Sequence, residues 1–270
     1  GIAHVFAQYQ LQVNLIDTSS VALEKALANI AKNLDRQINK GIINSEDKAN
    51  TLQNITAFTS IELGIVDVDL AVEAATENSE IKKNIFRLMD EKANPTCILA
   101  TNTSSIPIAQ LAAVTNRPEK VIGMHFMNPV PVMKLVEIIN GIATSEDTTR
   151  SIVALTTAID KIPCVVKDAP GFIANRILMP MINEAIYAFS EGISDATTID
   201  QIMKLGMAHP MGPLQLADFI GLDVCLAIMN VLHDGLGNPK YAASPLLINM
   251  VTSGDLGVKS GRGFYDYSHG

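Results

Sequence analysis

The sequence predicts an α/β fold with a doubly wound, mostly parallel sheet, followed by a second domain made of helices alone. Over the first 167 residues, short apolar runs of strand length alternate with longer stretches at helical spacing. Beyond that point the helical spacing continues and strand-like runs almost disappear. A length of 270 residues suits two domains of ordinary size. We therefore expect domains over 1–167 and 168–270.

The first domain is predicted to begin with a helix over 1–8 and a strand over 13–17. Threonine and serine at 18–20 can cap the next helix, whose Ala, Leu, Glu and Lys residues keep helical spacing as far as Lys40. Gly41 is a typical helix terminator.

Further strands of apolar residues alternate with helices in the rest of this domain. The predicted strands cover 69–75, 97–101, 121–126, 135–139 and 163–166. The predicted helices cover 78–92, 108–114 and 146–160. Continuous apolar strands between helices are typical of a parallel sheet that is covered on both faces.

The second domain is predicted to be helical throughout. Its predicted helices cover 172–190, 197–205, 214–232 (one or two helices) and 245–252. Pro180 is expected to kink the first of them. The only strand-like pattern is a short stretch at 263–267.

Charge and cysteine content exclude several classes of function. Lys and Arg number 20 and Asp and Glu 28, so the net charge of −8 argues against a nucleic-acid or anionic-membrane partner. No apolar run reaches the roughly 18–20 residues of a membrane span. Three scattered cysteines without metal-ligand spacing indicate reduced thiols, a cytoplasmic location and no bound metal.

The main candidate for chemistry is a histidine at the end of one strand and a glutamate in the next. His125 ends an apolar run, and Glu137 lies twelve residues later among β-branched residues. A buried carboxylate needs a partner, and a carboxylate that orients an imidazole makes a general base at neutral pH. The alternative is a satisfied core histidine and an edge-strand glutamate.

Other polar groups also stand where strands end, which is where open parallel sheets bind their ligands. Asp17 suits the ribose hydroxyls of an adenosine, although an Asp after a strand is often only a helix cap. The amide and hydroxyls at 102–105 could stabilise an oxyanion or could cap a helix. Glu77 and Lys82 begin another helix, where most charged residues are merely solvated.

Two groups of the second domain complete the set of candidates. Asn175 falls early in the first helix of that domain, where its amide could reach a cleft or lie on the surface. The basic, glycine-rich tail around Lys259 could contact a phosphate or form a flexible terminus.

Taken together, these segments resemble the short-chain L-3-hydroxyacyl-CoA dehydrogenase family, most closely its bacterial 3-hydroxybutyryl-CoA members. The resemblance covers essentially the whole chain and is strongest in the run HFMNPVPVMKLVE at 125–137 and in DAPGFIANR at 168–176. Shorter matching segments are GIAH at 1–4, LID at 15–17, VEA at 72–74, EN at 77–78, NTSS at 102–105, HPMGP at 209–213 and SGRGFY at 260–265.

The resemblance implies an NAD-binding Rossmann domain followed by a helical domain that makes a homodimer. It implies oxidation of an L-3-hydroxyacyl-CoA, with His125 as general base and Glu137 as its orienting carboxylate. Ser104 and Asn175 would hold the C3 oxygen of the substrate. The implied cofactor contacts are Asp17 at the adenosine ribose and Glu77, Lys82, Ser104, Asn128 and Lys259 at the nicotinamide half. Lys40 would contact coenzyme A.

One departure and two alternatives accompany this resemblance. The family's GAGTMG-like turn and first strand are expected just before Gly1, because no GxGxxG turn precedes Asp17. A β-hydroxyacid dehydrogenase acting on free acids is one alternative, which the Asn175-Arg176 pair disfavours because those enzymes use a lysine on the helical side. The other is a non-catalytic binding or structural protein with the same fold.

Overall fold

The computed structural model describes residues 1–268, which divide into two compact units. The first unit covers Gly1–Asp168, and the second begins at Ala169. The predicted Rossmann-type α/β class with a helical second part is confirmed.

The helices and strands of the first unit alternate along the chain. The strands are β1 (Val13–Ile16), β2 (Ile55–Phe58), β3 (Leu70–Glu73), β4 (Ile98–Thr101), β5 (Val121–Phe126), β6 (Leu135–Asn140) and β7 (Ile162–Lys167). The helices are α1 (Ile2–Gln8), α2 (Ser20–Asn39), α3 (Ser45–Gln53), α4 (Ile61–Gly64), α5 (Ser79–Lys92), α6 (Ile108–Ala112) and α7 (Glu146–Ala158). A 3₁₀ turn at Pro118–Lys120 leads into β5.

The strands form two sheets, of which the larger carries the candidate histidine. One sheet pairs β1 with β2 in parallel, and the other has the order β3-β4-β5-β6-β7. In the five-stranded sheet only the β5–β6 pairing is antiparallel. The mostly parallel arrangement therefore agrees with the prediction, although the strands do not form a single sheet.

Strand β5 shows how helices cover both faces of the larger sheet. All six of its residues are buried. Ile122, Met124 and Phe126 join a core that also includes Val5 of α1 and Ile152 of α7. The alternate residues point the other way.

The opposite face of β5 packs closely against α6. A Cβ on Gly123 would lie 2.8 Å from Ile139 of β6 and 3.0 Å from Ile108 of α6. The side chains of His125 and Glu137 belong to this second face by alternation. The close contact explains why glycine occupies this position of a buried strand.

Most predicted elements agree with the structure within one or two residues, and the disagreements are local. The predicted caps are present, since Ser19 accepts a hydrogen bond from Ala22 at the start of α2 and Asn78 accepts one from Ile81 at the start of α5. The sequence reasoning missed α3, β2 and α4 altogether. β2 has only four residues, and two of them are exposed, so it lacks the apolar run that marked the other strands.

The second unit is helical in the part of the chain that the structure describes. Its helices are α8 (Ala174–Ser190), α9 (Ala196–Gly206), α10 (Pro213–Ile220), α11 (Leu222–Leu236) and α12 (Pro245–Thr252). Helix α8 continues through Pro180. The strand-like pattern at 263–267 does not form a strand, and only isolated bridges join Arg262 to Gly257 and Asp266.

Two buried aspartates hold the C-terminal segment of the second unit, which covers 257–267. Asp218 of α10 accepts hydrogen bonds from the backbone N–H groups of Phe264 (3.0 Å) and Tyr265 (3.0 Å). Asp200 of α9 accepts one from the Tyr265 hydroxyl at 2.7 Å. Both carboxylates are almost inaccessible to solvent, so they anchor this segment from inside.

Among residues 1–268, no single helix is long and apolar enough to span a membrane. Helices α10 and α11, which meet at an angle of 98°, reach the required length and apolar composition only as a pair.

Candidate active site

The backbone ladder between β5 and β6 brings His125 and Glu137 together. The two residues are direct partners in the antiparallel register. Nδ1 of His125 lies 2.8 Å from Oε2 of Glu137, and both side chains are buried. A carboxylate on one ring nitrogen fixes the tautomer and leaves the other nitrogen to accept a proton. The predicted contact between His125 and Glu137 is therefore present, and its geometry is compatible with a general base.

Ser104 faces the other ring nitrogen of His125. Its Oγ lies 3.1 Å from Nε2, in the loop that follows β4. The neighbouring Asn102 accepts a hydrogen bond from the backbone N–H of Phe126 at 2.9 Å, which extends the contact between β4 and β5 beyond the ladder. The three side chains of Ser104, His125 and Glu137 consequently form one hydrogen-bonded row.

The loop at 102–105 does not cap a helix with its side chains, so that interpretation of the sequence is wrong. The N-cap of α6 is Pro107, which makes no side-chain cap. Asp168 instead accepts a hydrogen bond from the N–H of Ala109 in the first turn of α6, at 3.0 Å. The hydroxyl of Thr103 accepts from the N–H of Ile106 at 3.0 Å and stabilises the loop itself.

Glu77 holds this loop with one carboxylate oxygen. Its Oε1 accepts hydrogen bonds from the Thr103 hydroxyl (2.5 Å) and from the backbone N–H groups of Ser104 (2.9 Å) and Ser105 (3.0 Å). The hydroxyl of Ser105 donates a fourth at 2.9 Å. Glu77 thus connects the end of β3 to the residue that faces His125.

Behind Glu77 lies a buried ion pair that the sequence reasoning did not assign. Nζ of Lys82 is 2.8 Å from Oε1 of Glu73, 3.1 Å from the carbonyl oxygen of Ala75 and 3.4 Å from Oε2 of Glu77. The side chains of Glu73 and Lys82 are each only 1% exposed. Thr101 donates a further hydrogen bond to Glu73 at 2.7 Å.

The electrostatic surroundings keep Glu77 ionised. Burial alone would raise the pKa of its carboxyl, but several groups outweigh it and hold the pKa below the ordinary 4.5. These groups are the hydroxyls of Thr103 and Ser105, the charge of Lys82 and the backbone N–H of Ser104. The carboxylate therefore remains an acceptor at neutral pH.

The remaining predicted residues of the first unit lie outside this hydrogen-bond network. Asp17 follows β1, is exposed, and accepts a hydrogen bond from the N–H of Ser19 at 2.8 Å. Asn128 is exposed shortly after β5, and Lys40 is the exposed C-cap of α2.

Two predicted residues belong to the second unit. Asn175 is the second residue of α8 and is buried, with 9% of its surface exposed. Lys259 lies in a 3₁₀ turn at Val258–Ser260 and forms an ion pair with Asp223 of α11.

Sequence reasoning missed Glu73, Thr101 and Thr103 as supports of the site. One signal was available, since Glu73 is a lone acid within a four-residue apolar strand and needs a buried cation. The position of that cation, nine residues later on α5, depends on how the helix packs and is not visible in the sequence.

The arrangement can transfer a proton at the edge of the sheet. In this geometry Nε2 of His125 can accept a proton, the Glu137 carboxylate can stabilise a protonated ring, and the Ser104 hydroxyl lies next to the same nitrogen. The described residues therefore support acid–base chemistry on a substrate oxygen.

Comparisons with known proteins cover almost the whole chain. Residues 1–169 match the family model described as "3-hydroxyacyl-CoA dehydrogenase, NAD binding domain". Residues 171–267 match "3-hydroxyacyl-CoA dehydrogenase, C-terminal domain".

Curated relatives and a solved structure are similar over the same length. The "Probable 3-hydroxybutyryl-CoA dehydrogenase" of Bacillus subtilis is 51% identical over 99% of this chain and 93% of its own. The 3-hydroxybutyryl-CoA dehydrogenase of Clostridioides difficile is 48% identical over 99% and 95%. The crystal structure of (S)-3-hydroxybutyryl-CoA dehydrogenase PaaH1 from Ralstonia eutropha matches with a TM-score of 0.96 and 47% identity, over 98% and 94%.

Proposed function

We propose a reaction for this chain, which belongs to the 3-hydroxyacyl-CoA dehydrogenase family. It is an NAD-dependent oxidoreductase that interconverts an L-3-hydroxyacyl-CoA and the 3-ketoacyl-CoA, with 3-hydroxybutyryl-CoA as the substrate. The observation that carries this proposal is the row in which Glu137 holds one nitrogen of His125 and Ser104 meets the other.

Proton transfer is the step that these side chains perform. Nε2 of His125 takes the proton of the C3 hydroxyl, while the Ser104 hydroxyl donates to the same oxygen and holds it in place. Glu137 stabilises the resulting imidazolium without taking the proton itself, as the acid does in a Ser-His-Asp triad. In the reverse direction His125 returns the proton to the ketone oxygen.

The residues of the first unit fit NAD as the cofactor. Asp17 is an exposed carboxylate directly after a parallel strand, and its Oδ2 accepts no hydrogen bond from any residue that the structure describes. Such an oxygen can accept a hydrogen bond from a ribose hydroxyl and would repel a 2′-phosphate. When bound, NAD supplies the acceptor for the hydride that leaves C3.

Further contacts are proposed from the family resemblance. Asn175 would hold the C3 oxygen together with Ser104, and Lys40 would contact coenzyme A. Glu77, Lys82, Asn128 and Lys259 would serve the nicotinamide half, with Lys82 acting through Glu77 because its ammonium group is enclosed by carboxylates.

We also propose that the chain forms a homodimer through the second unit. Helix α9 exposes a row of large apolar side chains: Ile202 is 55% exposed, Leu205 85% and Met207, at its C-cap, 61%. Contiguous apolar surface of this kind is typical of a protein interface. The three free cysteines support a reducing, cytoplasmic location.

Replacing His125 tests the proposed reaction. His125→Gln should lower turnover of acetoacetyl-CoA with NADH by about 10²–10⁴-fold, because the general base is lost. NADH affinity, measured by fluorescence titration, should stay within about twofold. His233→Gln is the matched control, since that ring is exposed and pairs only with Asp234 among the residues described.

Three outcomes would contradict the proposal. Unchanged turnover in His125→Gln would show that His125 is not the general base. Faster oxidation of free 3-hydroxyacids than of the CoA thioester would favour a β-hydroxyacid dehydrogenase. An unchanged NADH absorbance with every acyl-CoA tried would favour a binding protein.

A further inference from the structure

The Glu77 carboxylate is arranged to hold one short piece of backbone. A single oxygen, Oε1, accepts all four hydrogen bonds from residues 103–105. Two of the four donors are consecutive backbone N–H groups, those of Ser104 and Ser105. Successive N–H groups that converge on one oxygen bind an anion strongly. The position of the Ser104 backbone is therefore determined by this carboxylate.

The second oxygen of Glu77, Oε2, faces the buried ammonium group of Lys82. Lys82 lies 3.4 Å from Oε2 and is itself fixed by Glu73, in a pair that is almost completely buried. Glu73 and Thr101 are register partners on β3 and β4. Leaving either buried charge without its partner would be strongly destabilising, so the pair stays together and keeps Lys82 next to Glu77.

The supported loop leads directly to the proton acceptor. The Ser104 hydroxyl lies 3.1 Å from Nε2 of His125. A shift of the Ser104 backbone by more than about 0.5 Å would break that hydrogen bond. Hydrogen bonds therefore connect Glu77, Ser104, His125 and Glu137 across the ends of four neighbouring strands.

We propose that Glu77 is a positioning residue, which keeps the Ser104 hydroxyl in register with His125 and is itself held in place by the buried Lys82–Glu73 pair. This role rests on the proposed function, because positioning matters only if Ser104 and His125 act on a substrate oxygen. It goes beyond the proposed contact between Glu77 and the nicotinamide half, because that contact alone would affect cofactor affinity and not the action of Ser104.

A double-mutant cycle separates these two roles. The turnover number is measured for Glu77→Ala, Ser104→Ala and the double variant, with acetoacetyl-CoA and NADH at saturation. Glu80→Ala is the matched control, because this exposed residue in the first turn of α5 pairs only with Lys83 among the described residues. Glu77→Gln keeps an oxygen acceptor for the loop but loses the charge that faces Lys82.

Glu77→Ala should lower the turnover number at saturating NADH about tenfold, beyond any loss of NADH affinity. The double variant should be no slower than Ser104→Ala alone, because Glu77 acts through Ser104. Glu77→Gln should lose about threefold. Losses that multiply in the double variant, or a Glu77→Ala defect confined to NADH affinity, would overturn the proposal.

A second readout remains informative if the proposed function itself fails. The ring resonances of His125, followed by NMR, report the Ser104 contact without any substrate. Glu77→Ala and Ser104→Ala should shift them alike, and Glu80→Ala should leave them unchanged. A shift in Ser104→Ala that is absent from a folded Glu77→Ala variant would refute positioning, whether or not the protein oxidises NADH.

Discussion

His4 is a residue whose surroundings suit only one protonation state. This residue of α1 is fully buried, and neither ring nitrogen has a hydrogen-bond partner among residues 1–268. Burial lowers the pKa of His4 from 6.5 to about 4, and the positive charge of Lys161 acts in the same direction. The neutral ring is therefore part of the folded structure.

The low pKa of His4 makes stability depend on pH in a defined interval. Between pH 6.5 and 4 the unfolded chain has taken up a proton that the folded chain has not. The free energy of unfolding must then fall as the pH is lowered through this interval. Above pH 6.5 the ring is neutral in both states and contributes no pH dependence.

His4→Gln should reduce this pH dependence. From pH 7.5 to pH 5, the wild type should lose about 2 kcal/mol of stability through this ring, and the variant should not. Urea unfolding at the two pH values measures the difference. His233→Gln, which changes an exposed ring, should keep the full wild-type loss. An equal loss in His4→Gln would show that other groups are responsible.

At this scale, the sequence was sufficient for residues whose partners are set by strand pairing. His125 and Glu137 could be paired because two apolar strands separated by a short connection place opposite residues together. The role of Glu77 was not visible, since its acceptor contacts come from a loop 26 to 28 residues away. The burial of His4 likewise depends on the packing around α1, which no local sequence pattern indicates.

Among the elements, the C-terminal segment at 257–267 packs closely against the backbone of Asp218 in α10. Gly257 adopts a φ of +90°, and a Cβ there would lie 2.3 Å from the carbonyl oxygen of Asp218. Both the backbone conformation and the space require glycine at this position.

Gly257→Ala should therefore destabilise the protein by about 2 kcal/mol or more, because it combines backbone strain with overpacking. Gly192→Ala is the matched control, since Gly192 has a similar φ of +74° but open space around a Cβ. The control should lose only about 1 kcal/mol, from strain alone. Chemical denaturation of both variants measures the difference, and equal losses would argue against the close contact with Asp218.

The same scale explains which elements the sequence could predict. Helices with a capping side chain and an apolar stripe, such as α2 and α5, were predicted to within a few residues. The region of α3 and β2 was missed because its helix buries only Thr51 and its strand is short and partly exposed. The segment at 263–267 looked like a strand because it is rich in aromatic residues, but Asp218 and Asp200 hold its polar groups instead of a neighbouring strand.

For the whole molecule, the exposed apolar face of α9 is the surface through which the second unit is proposed to form a homodimer. Leu205→Glu should convert the proposed dimer to a monomer, because a charge at a buried apolar contact cannot be solvated. Light scattering after size-exclusion chromatography measures the mass. Ile142→Glu is the control, since this residue is 96% exposed in the first unit. A dimer that survives Leu205→Glu would place the interface elsewhere.

Whole-chain organisation was the property most accessible to sequence reasoning. A change from alternating strands and helices to helices alone predicts two parts, and the structure divides the chain between Asp168 and Ala169. The separation of β1 and β2 from the other strands could not be predicted, because it depends on which strands lie next to one another and not on local pattern.

The antiparallel register between β5 and β6 has a consequence for how this protein tolerates change. His125 and Glu137 meet because they are partners in the ladder, so the distance between them is set by strand spacing and not by the intervening loop. Insertions within 127–134 should leave the pair intact, whereas a single inserted residue inside either strand would turn one side chain to the opposite face.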